Sequence, residues 1–226
     1  MTGVRFGTLM APSGELPWAL YVPRGYDARS SWPLVVFLHG SGESGRDGVR
    51  QLSAGLGPAL FAAPARWPAL VVLPQKPSGD QEWEEVEDAV LALVDEIRSR
   101  YRVDPRRIVL TGMSQGGHGT WVLGARHPGL WAALAPVCGY GSALGGGAFR
   151  GGAAELAVPL ARLPVWAFHG ALDDVVPVRG SEGMVAAIVA AGGTARLTVF
   201  PAANHNAWDP AYRESGLAEW LLAQRR

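Results

Sequence analysis

The chain is short of cysteine, of lysine and of net charge. One thiol, Cys138, stands among 226 residues, which excludes an internal disulfide framework. No Cys/His tract and no HExxH pattern is present, so no metal site is expected. A lone cysteine fits a reducing compartment, and a cytoplasmic location is the expectation. Twenty basic and twenty acidic side chains cancel, leaving no overall field to draw nucleic acid or an anionic membrane. Lys76 is the single lysine. No stretch reaches the ~18 apolar residues of a membrane span. The first residues, Met1 to Gly7, lack a basic head followed by an apolar run. Neither a signal peptide nor stable membrane insertion is expected.

What is present is globular composition, with 48% hydrophobic and 18% charged residues. A chain of this length buries a large core, and a single domain over residues 1–226 is expected. Eight segments read as strands: Val4–Met10, Pro17–Val22, Leu34–His39, Leu70–Leu73, Ile108–Thr111, Trp131–Val137, Val165–Phe168 and Ala195–Phe200. Most are continuous apolar runs, as in strands buried on both faces. Between them, Glu84–Arg100, Gln115–Arg126, Ser181–Ala191 and Ser215–Gln224 show helical spacing. Asp104-Pro105 follows the first of these and would stop it, and Gly192-Gly193 would cap the third. Alternation of strand and helix predicts an α/β fold: a mostly parallel eight-stranded sheet with helices on both faces. The Gly-rich stretch 139–152 is flanked by strand-like runs and reads as a surface loop.

Gly112-Met-Ser-Gln-Gly116 matches G-x-S-x-G between a strand and a helix. A strand turning sharply into a helix strains the Ser114 backbone, and glycines two residues either side leave it room. Ser114 Oγ is then presented at the carboxyl edge of the sheet, beside the positive end of a helix dipole. The bland alternative is a Gly-rich turn holding a surface serine.

A serine nucleophile needs a base oriented by an acid, in the chain order Ser, acid, His for this fold class. His205 follows the last strand, and Asp173 and Asp174 follow the one before it. Both segments leave the same edge as Ser114. His205 is the expected base; the plain alternative is a loop side chain capping the next helix. Asp173 is favoured as the acid, with Asp174 a competitor that spacing does not remove. Either carboxylate also suits a turn that bonds its own backbone.

An oxyanion needs two backbone N–H donors. Gln115, after the nucleophile, supplies one. Ser41 in the loop His39-Gly-Ser-Gly-Glu43 supplies the other, with Gly40 as the fallback. Trp83 and Trp208 sit on predicted loops at this edge and are candidate walls of an acyl or aromatic pocket. His118 is expected beneath the site, His39 and His169 as structural, and His127 on an exposed loop. Cys138 is read as an inert buried thiol away from the elbow.

Together these segments resemble the α/β-hydrolase superfamily from about residue 15 to 222. Within it the chain is similar to small carboxylesterases and phospholipases and to "predicted peptidase" and feruloyl-esterase-like proteins. LVVFLHGSGESG (34–45), RIVLTGMSQGGHGTW (107–121), PVWAFHGALDDVVPV (164–178) and HNAWDPAY (205–212) carry the likeness. The resemblance implies Asp173 as acid, His205 as base and Ser41 as oxyanion donor. It also implies a serine esterase acting on a small-molecule ester without a cofactor. Between Val137 and Pro164 only a short Gly-rich excursion fits, so no large cap domain and an open, shallow site are expected. A peptidase or amidase with the same triad, or a hydrolase-fold binding protein without turnover, are the rival readings.

Overall fold

The computed structural model describes residues 2–141 and 152–226. Eight strands form one sheet: β1 (Gly3–Ala11), β2 (Gly14–Val22), β3 (Trp32–Leu38), β4 (Leu70–Pro74), β5 (Val103–Met113), β6 (Leu134–Val137), β7 (Val165–Gly170) and β8 (Ala195–Phe200). Their spatial order is β1-β2-β4-β3-β5-β6-β7-β8. The hairpin β1–β2 is antiparallel and joins β4 antiparallel, while every pairing from β4 to β8 is parallel. All eight expected strands are present.

The alternation of side chains along the central strands divides the interior into two cores. Leu34, Val36, Leu38, Ile108 and Leu110 face one side; Val35, Phe37, Val109 and Met113 face the other. On the first side pack α2 (Glu87–Arg100), α3 (Gln115–Arg126), α4 (Ala153–Leu160) and α5 (Arg179–Ala190), through residues such as Leu93, Trp121, Leu160 and Ile188. On the second pack α1 (Leu56–Ala62), α6 (Trp208–Arg213) and α7 (Leu217–Ala223), through Leu60, Tyr212 and Leu221. Each fully buried large apolar side chain contributes roughly 1.5–3 kcal/mol, so both faces of the sheet are held by packing rather than by propensity.

Several boundaries differ from the sequence pattern. The strand expected from Trp131 begins at Leu134, and β5 reaches back through Asp104-Pro105 to Val103. Pro105 is tolerated because the β3–β5 register jumps between Trp32↔Val103 and Leu34↔Ile108, leaving that stretch outside the ladder. Helices α1, α4 and α6 escaped the periodicity because each is at most eight residues long and holds a proline: Pro58, Pro159 and Pro210. The expected helix from Ser215 starts at Leu217. Of the Gly-rich stretch 139–152 read as a surface loop, residues 142–151 lie outside the described residues. The segment between Val137 and Ala153 is too short to hold a cap domain. Among the described residues, no helix is long and apolar enough to cross a membrane.

Candidate active site

β5 runs into α3 through Ser114, whose φ of 54° and ψ of −119° lie outside the ordinary regions for a side-chain-bearing residue. A Cβ on Gly112 would overlap the Gly116 carbonyl and stand 2.8 Å from Leu38 O, and one on Gly116 would overlap Leu38 O. The turn therefore closes only with glycine at both positions. Ser114 N–H is tied to Val137 O at 2.9 Å, and its carbonyl accepts from His118 N–H at 3.0 Å. The residue is half-buried, with its side chain at the start of the helix.

His205 Nε2 lies 2.9 Å from Ser114 Oγ, and His205 Nδ1 lies 2.8 Å from Asp173 Oδ2. A carboxylate accepts only, so Nδ1 carries the proton and the Nε2 lone pair faces the serine hydroxyl. Asp173 is fixed from its other oxygen: Val175 N–H and Val176 N–H donate to Oδ1 at 3.0 and 2.8 Å. Its side chain is fully buried, while Asp174 is exposed. Gly170 makes the meeting of the two loops possible. The Ala203–Asn204 backbone, which leads into His205, crosses where a Cβ on Gly170 would stand.

The loop after β3 is braced from several sides. His39 Nδ1 lies 2.5 Å from Gly40 O, and His39 Nε2 accepts from Lys76 N–H at 3.1 Å. These partners select the neutral Nδ1–H tautomer, and burial lowers the imidazole to about 3. The described chain has no cis peptide bond, so with Gly40 O held by His39 the Ser41 N–H points the opposite way. A Cβ on Gly40 would stand 3.4 Å from Ser114 Cβ, which places this peptide beside the serine. Ser41 begins a short 3-10 turn, Ser41–Glu43. Gln115 is the first residue of α3, and its side-chain amide donates to Gly79 O at 3.0 Å. Lys76 Nζ donates to Ser44 Oγ at 2.9 Å and to Ser78 O at 2.5 Å. Burial pulls its ammonium down to about 8 and pushes the Glu43 carboxyl up.

Four placements are corrected. Trp83 is fully buried under α3, with its ring against Gly119 and Nε1–H donating to His39 O at 3.0 Å. It has no surface to offer a substrate; its indole N–H found a backbone partner inside. Cys138 is not away from the elbow. It follows β6 with φ of 41°, and its Sγ converges with the Asp173 and His205 side chains to within 4.8 Å. Burial, with the Asp173 charge adding, pushes its thiol well above the usual range. Trp208 opens α6 rather than lying on a loop, half-buried, with its ring edge-on to His205 at 5.3 Å between centroids. His127, expected on an exposed loop, follows α3 outside the helix but is half-buried, with Nε2 facing Glu87.

Two groups of possible metal-ligand atoms occur among the described residues: Cys138 with Asp173 and His205, and Glu82 with Glu84 and His118. In the first, the carboxylate and imidazole already bond each other. In the second, Tyr140 O–H donates to Glu82 at 2.5 Å and His118 Nδ1–H donates to Tyr140 O at 2.8 Å.

His169, expected as structural, places its Nε2 3.1 Å from Asp173 Oδ2. The one signal for this was its place four residues before Asp173.

The chain is 30% identical over 147 residues to a poly(3-hydroxyalkanoate) depolymerase C of Paucimonas lemoignei, a match covering 56% of this chain and 32% of that one. It is 34% identical over 131 residues to a putative carboxymethylenebutenolidase of Escherichia coli O157:H7, covering 56% and 46%. The match thus spans half or less of the length of these curated relatives. Among solved structures, a thermostable esterase superposes with a TM-score of 0.85 at 30% identity, over 99% of this chain and 63% of that one. A ferulic acid esterase shares the fold, with a TM-score of 0.75 at 15% identity, over 98% and 97%. The model of the dienelactone hydrolase family matches residues 64–215, well over half of the sequence. With the sheet order, the elbow and these relatives in agreement, the chain belongs to the dienelactone hydrolase family of the α/β-hydrolase superfamily.

Proposed function

We propose that the protein is a serine hydrolase that cleaves carboxylic esters through an acyl-enzyme. The observation that carries this reading is the unbroken hydrogen-bond row from Ser114 Oγ through His205 to Asp173. Ser114 Oγ attacks the ester carbonyl carbon as its proton passes to His205 Nε2. Asp173 holds Nδ1–H and offsets the charge of the imidazolium. The oxyanion forms beside the N-terminus of α3, where the Gln115 N–H and the Ser41 N–H donate to it. Collapse breaks the bond to the alkoxide, which leaves with the proton from His205. Water then enters, gives its proton to His205 and attacks the acyl carbon. The acid departs and Ser114 regains its hydrogen.

Support for ester substrates comes from the relatives, a thermostable esterase and a poly(3-hydroxyalkanoate) depolymerase among them. Ser41 lies exposed at the rim, and the chain has no room for a cap after β6, so the reacting ester is reached from open solvent. Trp208 beside His205 is the apolar wall available to an acyl group. The deciding experiment is hydrolysis of p-nitrophenyl butyrate with fluorophosphonate labelling. The wild type turns over and is labelled, whereas Ser114→Ala is folded, inert and unlabelled. A fully active Ser114→Ala protein ends the assignment.

A further inference from the structure

The acid of this site carries a donor that an ordinary Ser-His-Asp row does not require. Asp173 offers about four lone-pair sites. Two on Oδ1 take Val175 and Val176 N–H, and Oδ2 takes His205 Nδ1–H. The fourth faces His169 Nε2 at 3.1 Å. Val176 O lies 2.9 Å from the same nitrogen. Both atoms facing Nε2 are acceptors, so Nε2 carries a hydrogen, which bonds Val176 O and is shared with Asp173 Oδ2. His169 Nδ1 lies 2.8 Å from Ser181 Oγ, whose other acceptor, Gly139 O, is at 3.3 Å. The nearer partner leaves Nδ1 accepting from the Ser181 hydroxyl. His169, Ser181 and the Asp173 side chain are all fully buried.

We infer that His169, set by Ser181, is a positioning residue that holds Asp173 Oδ2 for His205 and weakens the carboxylate's pull on the His205 proton. The inference rests on the triad reading above. Burial keeps the His169 imidazole below its ordinary range despite the Asp173 charge, so the ring acts as a neutral donor. The groups that face the carboxylate from neighbouring elements are His205, His169 and the Cys138 thiol. A neutral N–H facing Oδ2, even shared with Val176 O, draws on the charge of the acid. Without it the carboxylate binds the imidazolium more strongly, and His205 releases its proton at higher pH. Removal also loosens the acid, because the two backbone amides and His205 itself are then its remaining donors.

The test is the pH profile of ester hydrolysis in the full chain, with p-nitrophenyl butyrate as the probe. In His169→Leu, kcat is expected to fall about tenfold with KM within about twofold, the scale of one buried bond to a charged group. The acid limb of kcat/KM should move up by about half a pH unit. His169→Gln, which keeps an amide N–H near the Nε2 position, should return the limb toward the wild type. Ser181→Ala, a smaller change that keeps the test available if His169→Leu does not fold, should move the limb the same way. A folded His169→Leu with wild-type kcat and an unmoved limb overturns the inference. So does an equal loss in His169→Leu and His169→Gln with an unmoved limb, which is what a purely packing role gives. If the wild type is neither active nor labelled by a fluorophosphonate, the triad reading itself has failed, a result distinct from both.

Discussion

His39 Nδ1 reaches the carbonyl oxygen of its own neighbour, Gly40, at 2.5 Å, and so fixes which way the Gly40–Ser41 peptide faces. A protonated ring would also turn an N–H toward the Lys76 N–H, donor against donor. Burial depresses its folded pKa, to about 3 against an ordinary 6.5. Between these values the unfolded chain binds a proton that the native chain refuses. The His39 contribution to stability is complete above about pH 6.5 and is lost as pH falls toward 3. Urea midpoints in this window should drop less steeply with acid in His39→Gln than in the wild type. An identical acid dependence in the two proteins contradicts the account.

Lys76 has the opposite chemistry and the same sign. Burial lowers its ammonium to about 8 from 10.5. Between these values the unfolded chain holds more protons, so this group makes stability rise with pH from about 8 to about 10.5. Lys76→Met should remove that rise and leave the difference between the two proteins flat below pH 8. Thermal melts of both across pH 7–10 read it directly.

Asp173 and Asp174 are adjacent and chemically identical, yet only one is buried against His205. Asp173→Asn should lower kcat by roughly ten-thousand-fold, because the amide favours the wrong imidazole tautomer. Asp174→Asn should stay within about threefold of the wild type. Steady-state kinetics decides between the two carboxylates, and a large loss in Asp174→Asn would reverse the assignment.

The two tryptophans should part in kinetics. Trp83→Phe keeps the ring but orphans the buried His39 carbonyl, which costs about 1–3 kcal/mol of stability with little change in KM. Trp208→Ala should raise KM for longer acyl esters several-fold while the melting temperature moves little. Denaturation curves and KM measured on acetyl, butyryl and octanoyl esters separate these effects.

Gly116→Ala should be damaging out of proportion to one methyl group. Its Cβ would overlap Leu38 O at the end of β3, and the backbone there has little freedom to move. A loss of at least ~1–3 kcal/mol is expected, with loss of fluorophosphonate labelling at Ser114. A stable, fully labelled Gly116→Ala protein would mean that the elbow is looser than its geometry.

The sheet and the elbow are legible along the chain, because both are written in near-neighbour patterns. LVVFLH at 34–39 reads as a strand buried on both sides, and Gly112-Met-Ser-Gln-Gly116 between strand and helix leaves few other turns. The short helices with Pro58, Pro159 and Pro210 were hidden, since a proline within one or two turns leaves no measurable period. The chain order of Ser114, Asp173 and His205 was legible and the family resemblance pointed to Asp173, although spacing alone left Asp174 as a competitor.

The burial of Asp173 against His205, the burial of Trp83, the approach of Cys138 to Asp173 and the second imidazole near Oδ2 came only from the tertiary structure. His205 meets Asp173 across 32 residues and Ser114 across 91. Side-chain direction and desolvation over such separations depend on how the loops after β7 and β8 pack against each other. A linear pattern records periodicity and turn chemistry, but nothing of which neighbours exclude water from a given atom.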